Sequence, residues 1–134
     1  MPCQLWSRRP ILGLTGLATA AAFLTGCAGL QQPEVEQVAT TFANGDPPTR
    51  CKLLAPATLS AIEVEEASAC GTSVGALAPP GGRVVHTEVW GDAAQVRLTD
   101  DTLFLIRTGA GWRVAAAGCT PNGSAPYHCR VEGP

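Results

Sequence analysis

Histidines are the side chains of this sequence best suited to acid–base chemistry at neutral pH, and there are two of them. His86 lies in a stretch of alternating β-branched residues, which puts it on the same side as Glu88. Paired with Asp100 or Asp101 across a sheet, it could act as a general base in a pocket. The competing interpretation is a half-exposed sheet histidine beside a glutamate. His128 has no evident partner, so the sequence predicts no catalytic residue.

The sequence also contains no motif typical of metal or cofactor binding. The chain has no nucleophile elbow, no phosphate-binding loop and no metal-ligand spacing, and Gly81-Gly82 lacks the residues that follow in a phosphate-binding turn. We therefore expect no cofactor and no metal site.

Three aromatic residues suggest a ligand pocket instead. Trp90, Phe104 and Trp112, with His86, could line a concave sheet face where an apolar ligand binds. The alternative is that the three simply fill the core, because only 5% of the residues are aromatic and large rings contribute strongly to core packing.

The first 26 residues have the order of a secretory signal peptide. Arg8 and Arg9 form a positive region, and the apolar run 11–24 is too short for a membrane-spanning helix. The next residues, Leu24-Thr25-Gly26-Cys27, resemble the lipobox of bacterial lipoproteins, in which the cysteine thiol receives a lipid and cleavage before it frees its amine. This resemblance implies a lipid-acylated Cys27 and a location on the extracytoplasmic face of the cell membrane.

Two questions about this leader stay open. Ser7-Arg8-Arg9-Pro10-Ile11-Leu12 also resembles the twin-arginine export signal, so both that route and the general secretory route remain. The alternative to a lipobox is an ordinary signal peptide, or an uncleaved anchor, that happens to end in cysteine.

Cysteine usage fits export to an oxidising compartment. Cys3 would leave with the signal and Cys27 would carry lipid, so an even number remains. The remaining four are Cys51, Cys70, Cys119 and Cys129. Their spacings are not those of a CxxC motif, which favours two structural disulfides. Of the three pairings we prefer Cys51 with Cys70 and Cys119 with Cys129, each across one short connection; a zinc site is the alternative.

Charge excludes one class of partner. Seven basic and eleven acidic residues follow residue 27, so this part carries a net charge of −4. It has no basic run and no aromatic residues interleaved with basic ones, so we expect no binding to nucleic acid. Membrane attachment would come from the lipid.

The remaining chain predicts a single domain, residues 34–134, after a short tether at 27–33. Pro33 suits the first turn of a helix, and four apolar residues follow at helical spacing; they are Val35, Val38, Ala39 and Phe42. A short helical turn near Cys51 and a third helix from Thr58 come next. In the third helix we expect Leu59, Ile62 and Val64 to face inward. Residues 68–82 are predicted to be a connection.

From Arg83 onward the hydrophobic period changes to about 2. Strands are predicted at 83–90, 93–99, 102–108 and 112–118, and the links between them are short enough to require antiparallel hairpins. The tail 119–129 is rich in Pro and Gly and is predicted to be a loop. The expected fold class is α+β, with N-terminal helices packed on a curved four-stranded antiparallel meander.

This order of elements, ending in Gly111-Trp112-Arg113-Val114, resembles the NTF2-like (cystatin-like) cone fold. The chain is also similar to small uncharacterised lipoproteins of actinobacteria. The similarity is carried by four segments: Cys51-Lys52-Leu53-Leu54-Ala55-Pro56, Asp101-Thr102-Leu103-Phe104-Leu105, Ala117-Gly118-Cys119 and Pro126-Tyr127-His128-Cys129.

Three functions follow as hypotheses. The first is a membrane-anchored, non-catalytic binding module for a membrane-protein partner or a small ligand. The second is a small isomerase-like or dehydratase-like enzyme that uses His86 with a carboxylate. The third is a purely structural accessory subunit.

Overall fold

The computed structural model describes residues 27–134. The predicted signal peptide, including Cys3, the two arginines and Leu24 to Gly26 of the lipobox, lies outside the described residues. Four helices precede five strands. The helices are α1 (Cys27–Asn44), α2 (Pro47–Leu53), α3 (Pro56–Glu65) and α4 (Cys70–Leu77). The strands are β1 (Val84–Trp90), β2 (Ala93–Leu98), β3 (Thr102–Thr108), β4 (Gly111–Asn122) and β5 (Ala125–Glu132).

The strands form one antiparallel sheet in the order β1-β2-β3-β4-β5. The prediction of four strands is wrong, because the tail expected to be a loop continues β4 and then returns as β5. Pro121 and Pro126 produced the error, since proline is unusual inside a central strand. Pro121 lies at an irregularity in the pairing of β4 with β5, and Pro126 lies on an edge strand, where a missing N–H is tolerated.

Helix α1 begins at Cys27, earlier than the sequence pattern indicates, and Pro33 lies inside it. Segment 27–33, expected to be an extended tether, is therefore helical. At a rise of about 1.5 Å per residue it spans roughly 10 Å, about half the reach of an extended segment of that length.

Helix α4 lies in the stretch predicted to be a connection. Gly71 and Gly75 lower its helix propensity, but Cys70 and Val74, one helical turn apart, are both buried. A disulfide joins Cys70 to Cys51 of α2, so tertiary packing overrides local propensity. The second disulfide joins Cys119 to Cys129 across the β4–β5 pair. Both are the pairings preferred from the sequence.

The core lies between the helices and one face of the sheet. Helix α1 contributes Val35, Ala39 and Phe42, all fully buried, while Val38 is half-buried. The sheet contributes the apolar side chains of alternating positions; the largest of those that are fully or almost fully buried are Val96, Leu103, Leu105, Trp112, Val114 and Val131. In α3 Ile62 faces inward as expected, but Val64 is 80% exposed, contrary to expectation.

A buried arginine lies in the helical layer beside the core. Arg50 of α2 is only 4% exposed, and its guanidinium carbon lies 4.6 Å from the ring centroid of Phe42. Within residues 27–134 neither its Nε nor its Nη2 has a hydrogen-bond partner. Burial lowers the pKa of Arg50, and the charge of Asp101 acts in the opposite direction.

The Asp101 carboxylate, by contrast, has several hydrogen-bond partners. It accepts hydrogen bonds from the backbone N–H groups of Thr102 (2.7 Å), Gly118 (3.0 Å) and Cys119 (3.0 Å). Gly118 has a φ of +62°, and a Cβ there would lie 2.7 Å from the carbonyl oxygen of Leu77. Asp101 therefore joins the β2–β3 turn to β4, and Gly118 lets β4 approach the end of helix α4 closely.

Within residues 27–134, no helix has both the length and the apolar content that a membrane span requires.

Candidate functional site

The candidate base His86 pairs with Glu88 and with neither predicted aspartate. Nε2 of His86 lies 3.1 Å from Oε1 of Glu88, and the two side chains are 49% and 59% exposed. Asp100 accepts a hydrogen bond from the Thr99 hydroxyl, and Asp101 is occupied by backbone N–H groups. The histidine therefore lies on an open surface of the sheet.

The structure divides the predicted aromatic set between the two faces of the sheet. Trp112 lies in the core and is 1% exposed, and its Nε1 has no hydrogen-bond partner among the described residues. Trp90 and Phe104 lie on the opposite side, which we call the outer face because the helices do not cover it. Of these three aromatic residues, Phe104 lines the larger of the two clefts described below.

Cross-strand pairing defines the outer face. One row across the sheet consists of Trp90, Ala93, Ile106 and Arg113. The next row consists of Glu88, Gln95, Phe104, Ala116 and Glu132. Trp90 is 51% exposed and Ile106 40% exposed, so large apolar side chains remain in contact with solvent on this face.

A cleft of about 390 Å³ opens where the second row reaches β5. We call it the aromatic cleft. Its walls are Phe104, Ala115, Ala116, Pro126, Tyr127, Cys129, Glu132 and Gly133. The rings of Phe104 and Tyr127 meet edge to face, with centroids 5.2 Å apart and planes at 72°, a favourable aromatic geometry. The small side chains of Ala115 and Ala116 leave the space open.

A β-bulge shapes the floor of this cleft. Phe104 pairs with Ala116 and Leu105 pairs with Val114, so Ala115 is an extra residue in β4. The Ala115 carbonyl accepts hydrogen bonds from the Thr58 hydroxyl of α3 (2.9 Å) and from the Gly133 N–H (3.3 Å). The bulge thus brings helix α3 and the segment after β5 together at one point.

A second cleft, of about 320 Å³, adjoins the first. It is lined by Ala61, Glu65, Glu132, Gly133 and Pro134, and we call it the acidic cleft. Glu132 and Gly133 belong to both clefts. A Cβ on Gly133 would lie 2.7 Å from Oγ1 of Thr58, so only glycine fits without displacing the wall that the clefts share.

Sequence reasoning missed most of these residues. Tyr127, Cys129 and Glu132 become neighbours of Phe104 only because the tail forms β5, which the two prolines concealed. A signal was present in β5 itself, where Tyr127, Cys129 and Val131 recur with a period of 2 and are all less exposed than the residues between them.

Among residues 27–134, no three His, Cys, Asp or Glu side chains form a group that could hold a metal ion. The four cysteines that could have formed a zinc site lie instead in two disulfides.

No protein-family model, curated protein or solved structure shows significant similarity to this chain.

Proposed function

We propose that this chain is a lipid-anchored, non-catalytic binding module that works at the extracytoplasmic face of a membrane through its outer sheet face. One observation carries the proposal. The sheet face under the helices is packed with fully buried apolar side chains, whereas the outer face leaves Trp90, Ile106 and the aromatic cleft accessible.

The alternative, an enzyme that uses His86, has less support. A general base needs a position beside a bound substrate, yet His86 lines neither cleft. Its partner Glu88 is as open to solvent as the histidine itself. Exposed apolar side chains beside a cleft are instead typical of binding surfaces.

The lipid anchor rests on the lipobox resemblance at Leu24-Thr25-Gly26-Cys27. Two disulfides in residues 27–134 fit an oxidising compartment. Helices followed by an antiparallel meander support the NTF2-like resemblance, with a fifth strand added to the four expected.

Metabolic labelling with radioactive palmitate tests the anchor. The wild-type protein should incorporate label and sediment with membranes, and Cys27→Ser should lose both properties. Cys3→Ser is the matched control, because it also removes one thiol but should leave labelling intact. Equal labelling of wild type and Cys27→Ser would refute the anchor.

Site-specific photo-cross-linking in intact cells tests the binding face. A photoreactive amino acid at position 106, on the outer face, should give a discrete adduct, whether protein or small molecule, that mass spectrometry resolves. Position 64 is the control, because Val64 is an even more exposed apolar residue on the helical side. Adducts of equal yield at both positions, or none at 106, would count against the proposed function.

A further inference from the structure

We infer that the aromatic and acidic clefts together form one binding groove for a small lipophilic amine, a positively charged ammonium group on an apolar body. This inference rests on the proposed function, because it names the ligand class for the outer face. The two clefts share the wall made by Glu132 and Gly133. At about 390 and 320 Å³, each is within the range typical of small-molecule sites.

The aromatic cleft suits the apolar body of the ligand. Phe104 and Tyr127 form an edge-to-face pair that presents ring surface to a ligand, and Pro126 and the Cys119–Cys129 disulfide extend this apolar wall. Glu132 is the one ionisable carboxylate of that lining. An apolar pocket with a single charged group orients a ligand by that group.

The acidic cleft suits the cationic end. Glu65 and Glu132 both line it, one on helix α3 and one on β5, and both are exposed. Neither forms an ion pair within 4.0 Å inside residues 27–134. Their negative charge is therefore available to a ligand.

The neighbouring arginines leave this charge unneutralised. Arg113 lies in the adjacent row of the outer face, and its Nη1 donates to the carbonyl oxygen of Trp112. Arg130 precedes Val131 on β5 but lines neither cleft. The net charge of −4 over this part of the chain also favours a cation over an anion.

Gly133 joins the two halves of the groove. Its N–H donates to the bulge carbonyl of Ala115, and its α-carbon packs against Thr58. Gly133→Ala would push this segment away from α3 and separate the clefts. Gly109→Ala is the matched control, because a Cβ there meets nothing within 4 Å.

Isothermal titration calorimetry of the full-chain protein in phosphatidylcholine nanodiscs tests the inference, with empty nanodiscs as reference. The probes are 2-phenylethylammonium, its neutral analogue 2-phenylethanol and the anion 3-phenylpropanoate. We expect the ammonium to bind most tightly and the anion most weakly. Equal affinity for the ammonium and the alcohol would overturn the inference.

Substitution of the carboxylates gives the second readout. Glu132→Gln should weaken ammonium binding by about two- to fivefold, the range expected for a solvent-exposed ion pair, and leave binding of the alcohol unchanged. Glu66→Gln removes the same charge from the end of α3, outside both clefts, and should have no effect. An equal loss in Glu66→Gln would show a general charge effect and overturn the site.

Two further arms separate the remaining outcomes. N-acetyl-lysine methylamide represents the ammonium group of a lysine in a peptide. Tighter binding of this probe than of 2-phenylethylammonium would overturn the inference that the ligand is a small lipophilic amine. Gly133→Ala should weaken binding of the ammonium and Gly109→Ala should not. If no probe binds while cross-linking at position 106 succeeds, the amine groove fails and the proposed function stands.

Discussion

Buried Arg50 and half-buried Asp101, which form no ion pair within 4.0 Å, should respond unequally to substitution. Asp101 accepts three backbone N–H groups without help from Arg50. Arg50 has two buried nitrogens with no partner among the described residues. Substituting Arg50 therefore removes buried nitrogens that lack hydrogen bonds, whereas substituting Asp101 breaks hydrogen bonds that are already formed.

The two substitutions differ in magnitude for the same reason. Asp101→Asn keeps one carbonyl oxygen but turns an amide NH₂ toward a backbone N–H. It loses at least one charge-assisted hydrogen bond and should cost about 2–4 kcal/mol, since each such bond contributes about 1.5–3 kcal/mol. Arg50→Met loses a cation–π contact of up to about 2 kcal/mol. It gains a sulfur–aromatic contact with Phe42 of about 0.3–1.5 kcal/mol, so the net loss should stay below about 2 kcal/mol.

Thermal unfolding of the disulfide-intact protein measures both changes, with Arg97→Met as control because Arg97 is exposed. In a domain of this size Asp101→Asn should lower the Tm by about 10 °C or more, at about 4–8 °C per kcal/mol. The opposite view treats the pair as a buried salt bridge, in which removal of either partner costs about 3–5 kcal/mol. A loss of that size in Arg50→Met would refute the reasoning.

Two other predictions concern backbone geometry and pH. Gly118→Ala should cost about 2–4 kcal/mol, because a left-handed alanine costs about 1–2 kcal/mol and its Cβ would also meet the Leu77 carbonyl oxygen. Gly123 has a similar φ, and a Cβ there would meet nothing within 4 Å. Gly123→Ala should therefore cost only about 1–2 kcal/mol for the left-handed backbone, measured by thermal unfolding. Equal losses in the two variants would contradict the predicted clash with Leu77. Hydrogen bonds from the Thr49 side chain and backbone N–H lower the pKa of the helix cap Asp46. Its stabilisation should therefore be present above the ordinary value of 3.8 and be lost as the pH falls through the lowered pKa. The Tm difference between wild type and Asp46→Ala should shrink over that range, and a difference unchanged at acid pH would contradict it.

The sequence correctly predicted the elements in which the local hydrophobic periodicity agrees with the tertiary packing. The four strands from Arg83 to Gly118 alternate clearly, and their links are too short for anything but hairpins. Helix α1 carries Val35, Ala39 and Phe42 at helical spacing, and all three are buried. In these elements periodicity alone was sufficient.

The missed elements are those in which tertiary contacts override local signals. Helix α4 contains glycines that disfavour a helix, and a disulfide and the burial of Val74 hold it in place. Strand β5 contains Pro126, which its edge position tolerates. Because both clefts depend on β5, the sequence indicated Phe104 as a ligand-lining residue but not the residues around it.

The disulfide pattern has a consequence for the order of oxidation. Each bond joins consecutive cysteines, at separations of 19 and 10 residues, and every strand pairs with its neighbour in sequence. A chain that emerges from a membrane N-terminus first would present Cys51 and Cys70 together, and only later Cys119 and Cys129. An oxidase that acts on each pair as it appears would form the native bonds directly. Acylation of Cys27, as proposed, and loss of Cys3 with the signal peptide would remove both earlier thiols, so the native bonds would form without disulfide reshuffling.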